Sequence, residues 1–152
     1  ITRGNRKIMK SIFVDADACP VKDEIIRVAI RNNTNVNMVC NGGIRPYKND
    51  LIKLVIVNEG PDEADKWIYE NVNKSDVVIT VDIPLASKCI EKQAFVLRHD
   101  GGFLTKDNIG NILATRDLMS DLRSADPFLK GKNKPFSKND RSNFLNSLES
   151  IL

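Results

Sequence analysis

The chain has 152 residues, of which 41% are hydrophobic and 28% charged, and its formal net charge is +3. This composition is typical of one globular domain and argues against a chain that is disordered throughout. No apolar run approaches the roughly 20 residues that cross a bilayer, and the first residues lack the apolar stretch of a signal peptide, so we expect no membrane partner.

Three widely spaced cysteines (Cys19, Cys40 and Cys89) form no paired motif with each other or with His99, the single histidine. This pattern favours a reducing, cytoplasmic setting. Cys19 directly precedes Pro20 and a predicted helix, where the pKa of a thiol can be lowered. Cys19 is therefore an additional site candidate, although a buried structural thiol is the favoured interpretation because no partner residue stands near it in the sequence.

Apolar runs alternate with helical patterns along most of the chain. The pattern predicts strands at 11–14, 36–40, 54–57, 76–81 and 95–97, and helices at 21–31, 61–72 and 84–92. Strands that alternate with helices indicate an α/β fold, here a three-layer sandwich with a mainly parallel central sheet. We expect residues 9–152 to form one domain and residues 1–8 to be a non-native remnant or an upstream extension.

The part of the domain from about 105 to 152 is predicted to be helical. Thr105 is placed to cap a helix at 106–123, and the Ser137/Asp140 pair resembles a capping box that opens a final helix. Residues 128–152 carry five basic and two acidic side chains, which makes the stretch FLKGKNKPFSKNDR locally basic. This stretch is either a solvated surface segment or a contact for a phosphate backbone.

Several aspartates follow predicted strands, at the edge of a parallel sheet where functional sites form. Asp15 and Asp17 follow the first strand in VDADACP, and Asp82 follows the fourth strand in TVDIPLA. In the helix PDEADKWIYENV, Asp62 and Asp65 share one face, with Asp65 at the margin of the apolar stripe. Crowded carboxylates repel one another unless a divalent cation neutralises them, and oxygen ligands suit Mg²⁺ or Mn²⁺.

Each of these acids also has an ordinary structural interpretation. Asp82 precedes Ile83-Pro84 and is suited to cap a helix, and Asp62 suits the positive end of a helix dipole. Asp15 and Asp17 could stabilise a turn before Pro20. The prediction of a site therefore depends on the acids converging in the folded chain.

Three functions remain open from the residues alone. A metal-dependent nuclease would use Asp15, Asp65 and Asp82 as ligands, with Asp17 as a further ligand or base. A phosphatase of the haloacid-dehalogenase type would use Asp15 as nucleophile and Asp17 as acid/base, but its downstream acidic pair is missing. A non-catalytic nucleic-acid-binding module would use the basic stretch with Phe128 and Phe136, although acids beside a phosphate backbone would repel it.

Five segments, taken in order, resemble the YaiI/YqxD family of bacterial proteins: VDADACP, GPDEADKWI, ITVDIPLA, TKDNIGNILATRDLMSDLR and SKNDRSNFLNSLESIL. That family is similar in fold to PIN-like domains, a class of Mg²⁺- or Mn²⁺-dependent ribonucleases. The resemblance implies RNA or another phosphate-containing substrate, and it suggests a homodimer because PIN-like proteins often pair.

The same resemblance assigns roles to individual residues. It implies that Asp15, Asp65 and Asp82 are metal-binding and catalytic, and that Thr80, which precedes the last acid at the strand end, is a substrate-binding candidate. Asp17 and Asp62 have no counterpart in the PIN pattern. The patterned segment after Thr105 adds further substrate-binding candidates, namely Asn108 and Arg116, and beside them Asp117.

Overall fold

The computed structural model describes residues 10–60, 62–111 and 136–152. The described elements, in chain order, are β1 (Ser11–Asp15), a 3-10 turn (Ala16–Ala18), α1 (Lys22–Arg31), β2 (Asn35–Cys40), β3 (Ile52–Ile56), α2 (Glu63–Asn71), β4 (Val77–Ile79), α3 (Ile83–Glu91), β5 (Phe95–Leu97), β6 (Phe103–Leu104) and a C-terminal helix (Lys138–Ile151). Residues 106–111 are also helical, as predicted for the start of the helix at 106–123. The rest of that helix, with Arg116 and Asp117, lies outside the described residues.

The six strands form one sheet in the order β3-β2-β1-β4-β5-β6. The first five strands pair in parallel, and β6 is antiparallel to β5. β1 and β4 are therefore neighbours at the centre of the sheet, with Val14 opposite Ile79. This arrangement confirms the predicted mainly parallel sheet and adds β6, which was not predicted.

Helices cover both faces of the sheet. Ile12 and Val14 of β1 belong to a core cluster that includes Ile25 of α1 and Phe144 of the C-terminal helix. Phe13 points to the opposite face, because side chains alternate along a strand, and belongs to a second cluster with side chains of α2 and α3. The fold is thus the predicted three-layer α/β sandwich, and its strands read as nearly continuous apolar runs because both faces are buried.

The C-terminal helix begins and packs as predicted. The Asp140 N–H donates to Ser137 Oγ at 3.1 Å, and the Ser137 N–H donates to Asp140 Oδ2 at 3.0 Å, which completes a capping box. Phe144 and Leu148 are fully buried in the core. Every helix in the described ranges is too short or too polar to traverse a membrane.

Phe136, at the start of this helix, is anchored to the protein. Its ring packs against the core, and the Arg141 guanidinium lies 4.9 Å from the ring centroid. Arg141 also pairs with Glu24 at 2.9 Å and donates to the carbonyl of Pro20. These contacts favour an anchoring role for Phe136 over base stacking, whereas Phe128 lies outside the described residues.

Candidate functional site

The central pair of strands brings two of the predicted acids to one edge of the sheet. Asp15 is the last residue of β1, and Asp82 lies three residues beyond the end of the neighbouring parallel strand β4. Parallel strands end at the same edge, so both carboxylates lie at the carboxyl edge of the sheet. The two groups are close enough for the charge of Asp82 to raise the pKa of Asp15.

Thr80 connects these two aspartates. Its side chain is fully buried, and Oγ1 donates a long hydrogen bond of 3.4 Å to Asp15 Oδ2. The same oxygen accepts the backbone N–H of Asp82 at 3.0 Å. Thr80 therefore fixes the Asp15 side chain relative to the chain segment that carries Asp82.

Asp82 has the predicted capping role as well as its place at the edge. It is the N-cap of α3, where Oδ1 accepts the Leu85 N–H at 2.9 Å, and Pro84 lies in the first turn. Capping occupies one carboxylate oxygen. The Asp82 carboxylate also lies within hydrogen-bonding reach of Asp65, a contact that favours the protonated form of Asp65.

Asp65 extends into the same cluster from α2. Burial, and then the negative charges of Asp82 and Asp15, raise the pKa of the Asp65 carboxyl to about 7. The charge of Asp62 acts in the same direction. Asp65 therefore holds a proton below about pH 7, because adjacent carboxylates resist ionising together.

Asp15 has a perturbed environment of the same kind. Its pKa is raised, mainly by burial and then by the charges of Asp82 and Asp17, while the hydrogen bond from Thr80 acts in the opposite direction. The structure thus brings together, at one edge of the sheet, the three acids that the sequence selected, Asp15, Asp65 and Asp82.

Asp17 and Asp62 lie at the periphery of this cluster. Asp17 is exposed in the 3-10 turn, and its carboxylate accepts the Asn41 N–H at 3.2 and 3.3 Å. It therefore holds the turn after β1 to the end of β2. Asp62 is the exposed N-cap residue of α2, and its side chain makes no capping hydrogen bond.

Two other predicted site residues, Cys19 and Asn108, are not members of this acid cluster. Burial raises the pKa of the Cys19 thiol to about 11, so this side chain is a protonated core thiol. Asn108 accepts the Thr105 N–H at 2.9 Å and donates to the Phe103 carbonyl at 2.9 Å. Because β6 runs antiparallel to β5, Asn108 lies at the opposite edge of the sheet from the acids, and its substrate-binding role stays a prediction.

A cavity of about 470 Å³ opens beside the acid cluster, between α2 and α3. Its lining comes from the two helices and their N-caps: Asp62, Asp65, Lys66, Tyr69 and Glu70 on the α2 side, and Asp82, Pro84, Leu85 and Lys88 on the α3 side. The sequence analysis missed Tyr69. Tyr69 lies one helical turn beyond Asp65 on α2, but only the packing of the two helices shows that Tyr69 and Lys88 border one space.

Comparisons with known proteins agree with the motifs. The family described as "Uncharacterized BCR, YaiI/YqxD family" matches residues 13–152. A UPF0178 protein of Roseobacter denitrificans is 56% identical over 144 residues, covering 95% of each chain. UPF0178 proteins of Cereibacter sphaeroides and Parvibaculum lavamentivorans are 55% and 53% identical over 141 residues, covering 93% of this chain and 88% and 92% of theirs.

The search of solved structures found no significant match. The family match nevertheless covers nearly all of the predicted domain, including Asp15, Thr80, Asp82 and the C-terminal helix. Its relatives match at more than half identity over almost their full length. The chain therefore belongs to the YaiI/YqxD family.

Proposed function

We propose that the protein is a Mg²⁺- or Mn²⁺-dependent nuclease that hydrolyses phosphodiester bonds in single-stranded RNA. The observation that carries this proposal is the convergence of Asp15, Asp65 and Asp82 at the carboxyl edge of the sheet. Burial, and then repulsion by neighbouring carboxylates, raises the pKa of Asp15 and Asp65. Carboxylates that repel one another do not stabilise the folded chain, and such clusters are typical of cation-binding sites.

The chemistry of the donor set fits a hard divalent cation, because all three side chains offer carboxylate oxygens. Among residues 10–60, 62–111 and 136–152, no group of three or more Asp, Glu, His or Cys side chains is arranged to hold a metal ion. Mg²⁺ commonly keeps several waters and binds through one or two carboxylates. Asp15 and Asp65 can therefore serve as ligands while Asp82 continues to cap α3.

A bound Mg²⁺ or Mn²⁺ would supply Lewis-acid stabilisation of the phosphate and lower the pKa of a water molecule. The residues of the chain prepare this site. Thr80 orients the Asp15 carboxylate, and the cap at Leu85 fixes Asp82. Asp65 must release its proton before it can bind a cation, because only the ionised carboxylate is an effective ligand.

Two alternative functions have less support. A phosphatase that uses Asp15 as nucleophile and Asp17 as acid/base would need Asp17 to face the substrate, yet its carboxylate is bound to the Asn41 backbone. A non-catalytic nucleic-acid-binding module would gain nothing from three acids close enough to repel one another, since they also repel phosphates. A homodimer remains a prediction from the resemblance.

Cleavage of labelled single-stranded RNA tests the proposal. The wild-type protein should cleave it with Mn²⁺ and stop when EDTA is added, and Asp15→Asn should reduce the rate by about 100-fold or more, as expected when a metal ligand is lost. Asp50→Asn is a matched control, because Asp50 is an exposed aspartate at the opposite edge of the sheet. Turnover that persists in EDTA, or an Asp15→Asn rate equal to wild type, would refute the proposal.

A further inference from the structure

The groove between α2 and α3 continues away from the acid cluster. Both helices begin at the carboxyl edge, because α2 follows the loop after β3 and α3 follows the end of β4. With a rise of about 1.5 Å per residue, Tyr69 lies about 6 Å beyond Asp65 along α2, and Lys88 lies about 9 Å beyond Asp82 along α3. The groove therefore leads from the carboxylates to an aromatic ring and an ammonium group that border the same cavity.

Tyr69 is held in position at this end of the groove. It is 39% exposed, and the Lys92 ammonium lies 4.8 Å from its ring centroid. Lys92 also donates to the Tyr69 backbone carbonyl at 2.6 Å, which connects the last turns of the two helices. An exposed aromatic ring beside cations is the combination that binds single-stranded nucleic acid, by stacking on bases and pairing with phosphates.

Charge is distributed unevenly along the groove. Asp62, Asp65 and Asp82 lie with Lys66 at the end formed by the helix N-termini, whereas Lys88 lies with Glu70 farther along the groove. Lys92, which contacts Tyr69, lies beyond them at the end of α3. A phosphodiester placed at the acid cluster needs a divalent cation there, but the next phosphate along a strand would meet lysine. The cavity of about 470 Å³ is in the range of roughly 300–1,000 Å³ that holds small ligands, so it accommodates a single nucleotide.

We infer that this groove is the binding site for the nucleotide that flanks the scissile phosphate, with Tyr69 stacking on its base and Lys88 binding its outer phosphate. The inference rests on the proposed function, because the acid cluster defines where the scissile phosphate lies. It assigns to the two residues a role in binding rather than in the chemical step. The ligand class is single-stranded nucleic acid.

Fluorescence anisotropy with labelled hexauridine and hexathymidine tests this site. The titration uses Ca²⁺, a cation that takes the same oxygen ligands, and a gel of the final mixture checks that the probe is intact. Tyr69→Ala and Lys88→Ala should each weaken binding about tenfold, and Lys88→Ala should also lower the salt-dependence slope by about one. Tyr69→Phe and Lys88→Arg should bind within about twofold of wild type, because ring and charge are kept.

Lys74→Ala is the matched control, since Lys74 is an exposed lysine in the loop before β4, at the opposite edge of the sheet. It should bind as wild type does. Alanine variants of Tyr69 and Lys88 that bind as tightly as wild type would overturn the inference, and so would a wild-type protein that binds neither probe. Tighter binding of hexauridine would support an RNA site, and equal binding of both probes would support a general single-strand site.

The outcomes separate the two proposals. Binding that depends on Tyr69 and Lys88, without any cleavage when Mn²⁺ replaces Ca²⁺, would support the groove and refute the nuclease function. Metal-dependent cleavage that is unaffected by the alanine variants would support the nuclease function and overturn the groove assignment. Melting curves of the exposed-site variants should match wild type, which confirms that each variant is folded.

Discussion

Aspartate side chains have different environments at the two edges of the sheet. At the amino edge, Asp76 is only 4% exposed, and its carboxylate accepts the Ser11 N–H at 3.0 Å and the Asn73 N–H at 2.8 Å. At the carboxyl edge, Asp15 and Asp65 lie close to Asp82, and their pKa values are raised by burial and then by the charges of neighbouring aspartates. The Asp76 charge is compensated by backbone hydrogen bonds of the fold, whereas the proposed function assigns compensation at the carboxyl edge to a divalent cation.

Replacing Asp76 gives the largest expected change in stability. Asp76→Ala should lower the free energy of unfolding by about 2–3 kcal/mol, because it leaves two backbone N–H groups without an acceptor in a buried place. Urea denaturation measures this loss, with Asp50→Ala as the exposed control, for which the change should stay within about 0.5 kcal/mol. A loss no larger than that of the control would show that Asp76 is not compensated as described.

The pH dependence of Mn²⁺ affinity tests the acids at the carboxyl edge of the sheet. Because the pKa of Asp65 is raised to about 7, protons compete with the cation below that pH and cease to compete above it. Affinity should fall by up to about tenfold per pH unit below 7 and level off above 8. Isothermal titration at pH 6, 7 and 8 measures this trend. An affinity that is constant over this range would contradict the raised pKa of Asp65.

Two substitutions separate the capping role of Asp82 from its charge. Asp82→Ser keeps an oxygen that can accept the Leu85 N–H, whereas Asp82→Ala removes the cap and should be about 1 kcal/mol less stable than the serine variant. Both variants remove the carboxylate and should lose RNA cleavage equally. Thermal melts compare their stability, and the labelled-RNA assay compares their activity. A serine variant that cleaves at the wild-type rate would show that Asp82 serves only as a cap.

Asp65→Asn tests how much the acid cluster lowers the stability of the folded protein. The folded protein holds a proton on Asp65 that the unfolded chain releases near pH 4, so stability falls as pH rises from about 4 to about 7. Asparagine cannot lose a proton, and the variant should therefore gain stability relative to wild type at pH 8 but not at pH 4. Since Asp65 is half-exposed, we expect a Tm increase of only about 2 °C at pH 8. A Tm difference that is the same at both pH values would contradict this account.

Much of this arrangement can be predicted from the sequence because it depends on local chemistry. The alternation of apolar runs and helices predicts the sheet, and the Ser137/Asp140 spacing predicts the capping box. The placement of Asp15 and Asp82 after two strands predicts their shared edge once the strands are parallel. The margin of an apolar stripe also identifies Asp65 as the helical acid that burial would perturb.

The remaining features depend on contacts between distant segments. β6 has only two residues, too few for any periodicity, and it sends Asn108 to the edge opposite the acids. Asp17 binds the backbone of Asn41, 24 residues away, which no local pattern indicates. Tyr69 and Lys88 share a cavity only because of how α2 packs against α3. Turns, antiparallel edge strands and helix–helix grooves are decided by tertiary packing.

The central claim is that the acid cluster binds a divalent cation, and calorimetric titration of Mn²⁺ tests it most directly. At pH 8, where Asp65 is ionised, the wild-type protein should give a saturable heat that Asp15→Asn abolishes and Asp76→Asn, if folded, retains. Equal heats for the wild-type and Asp15→Asn proteins, or no heat from either, would contradict the account.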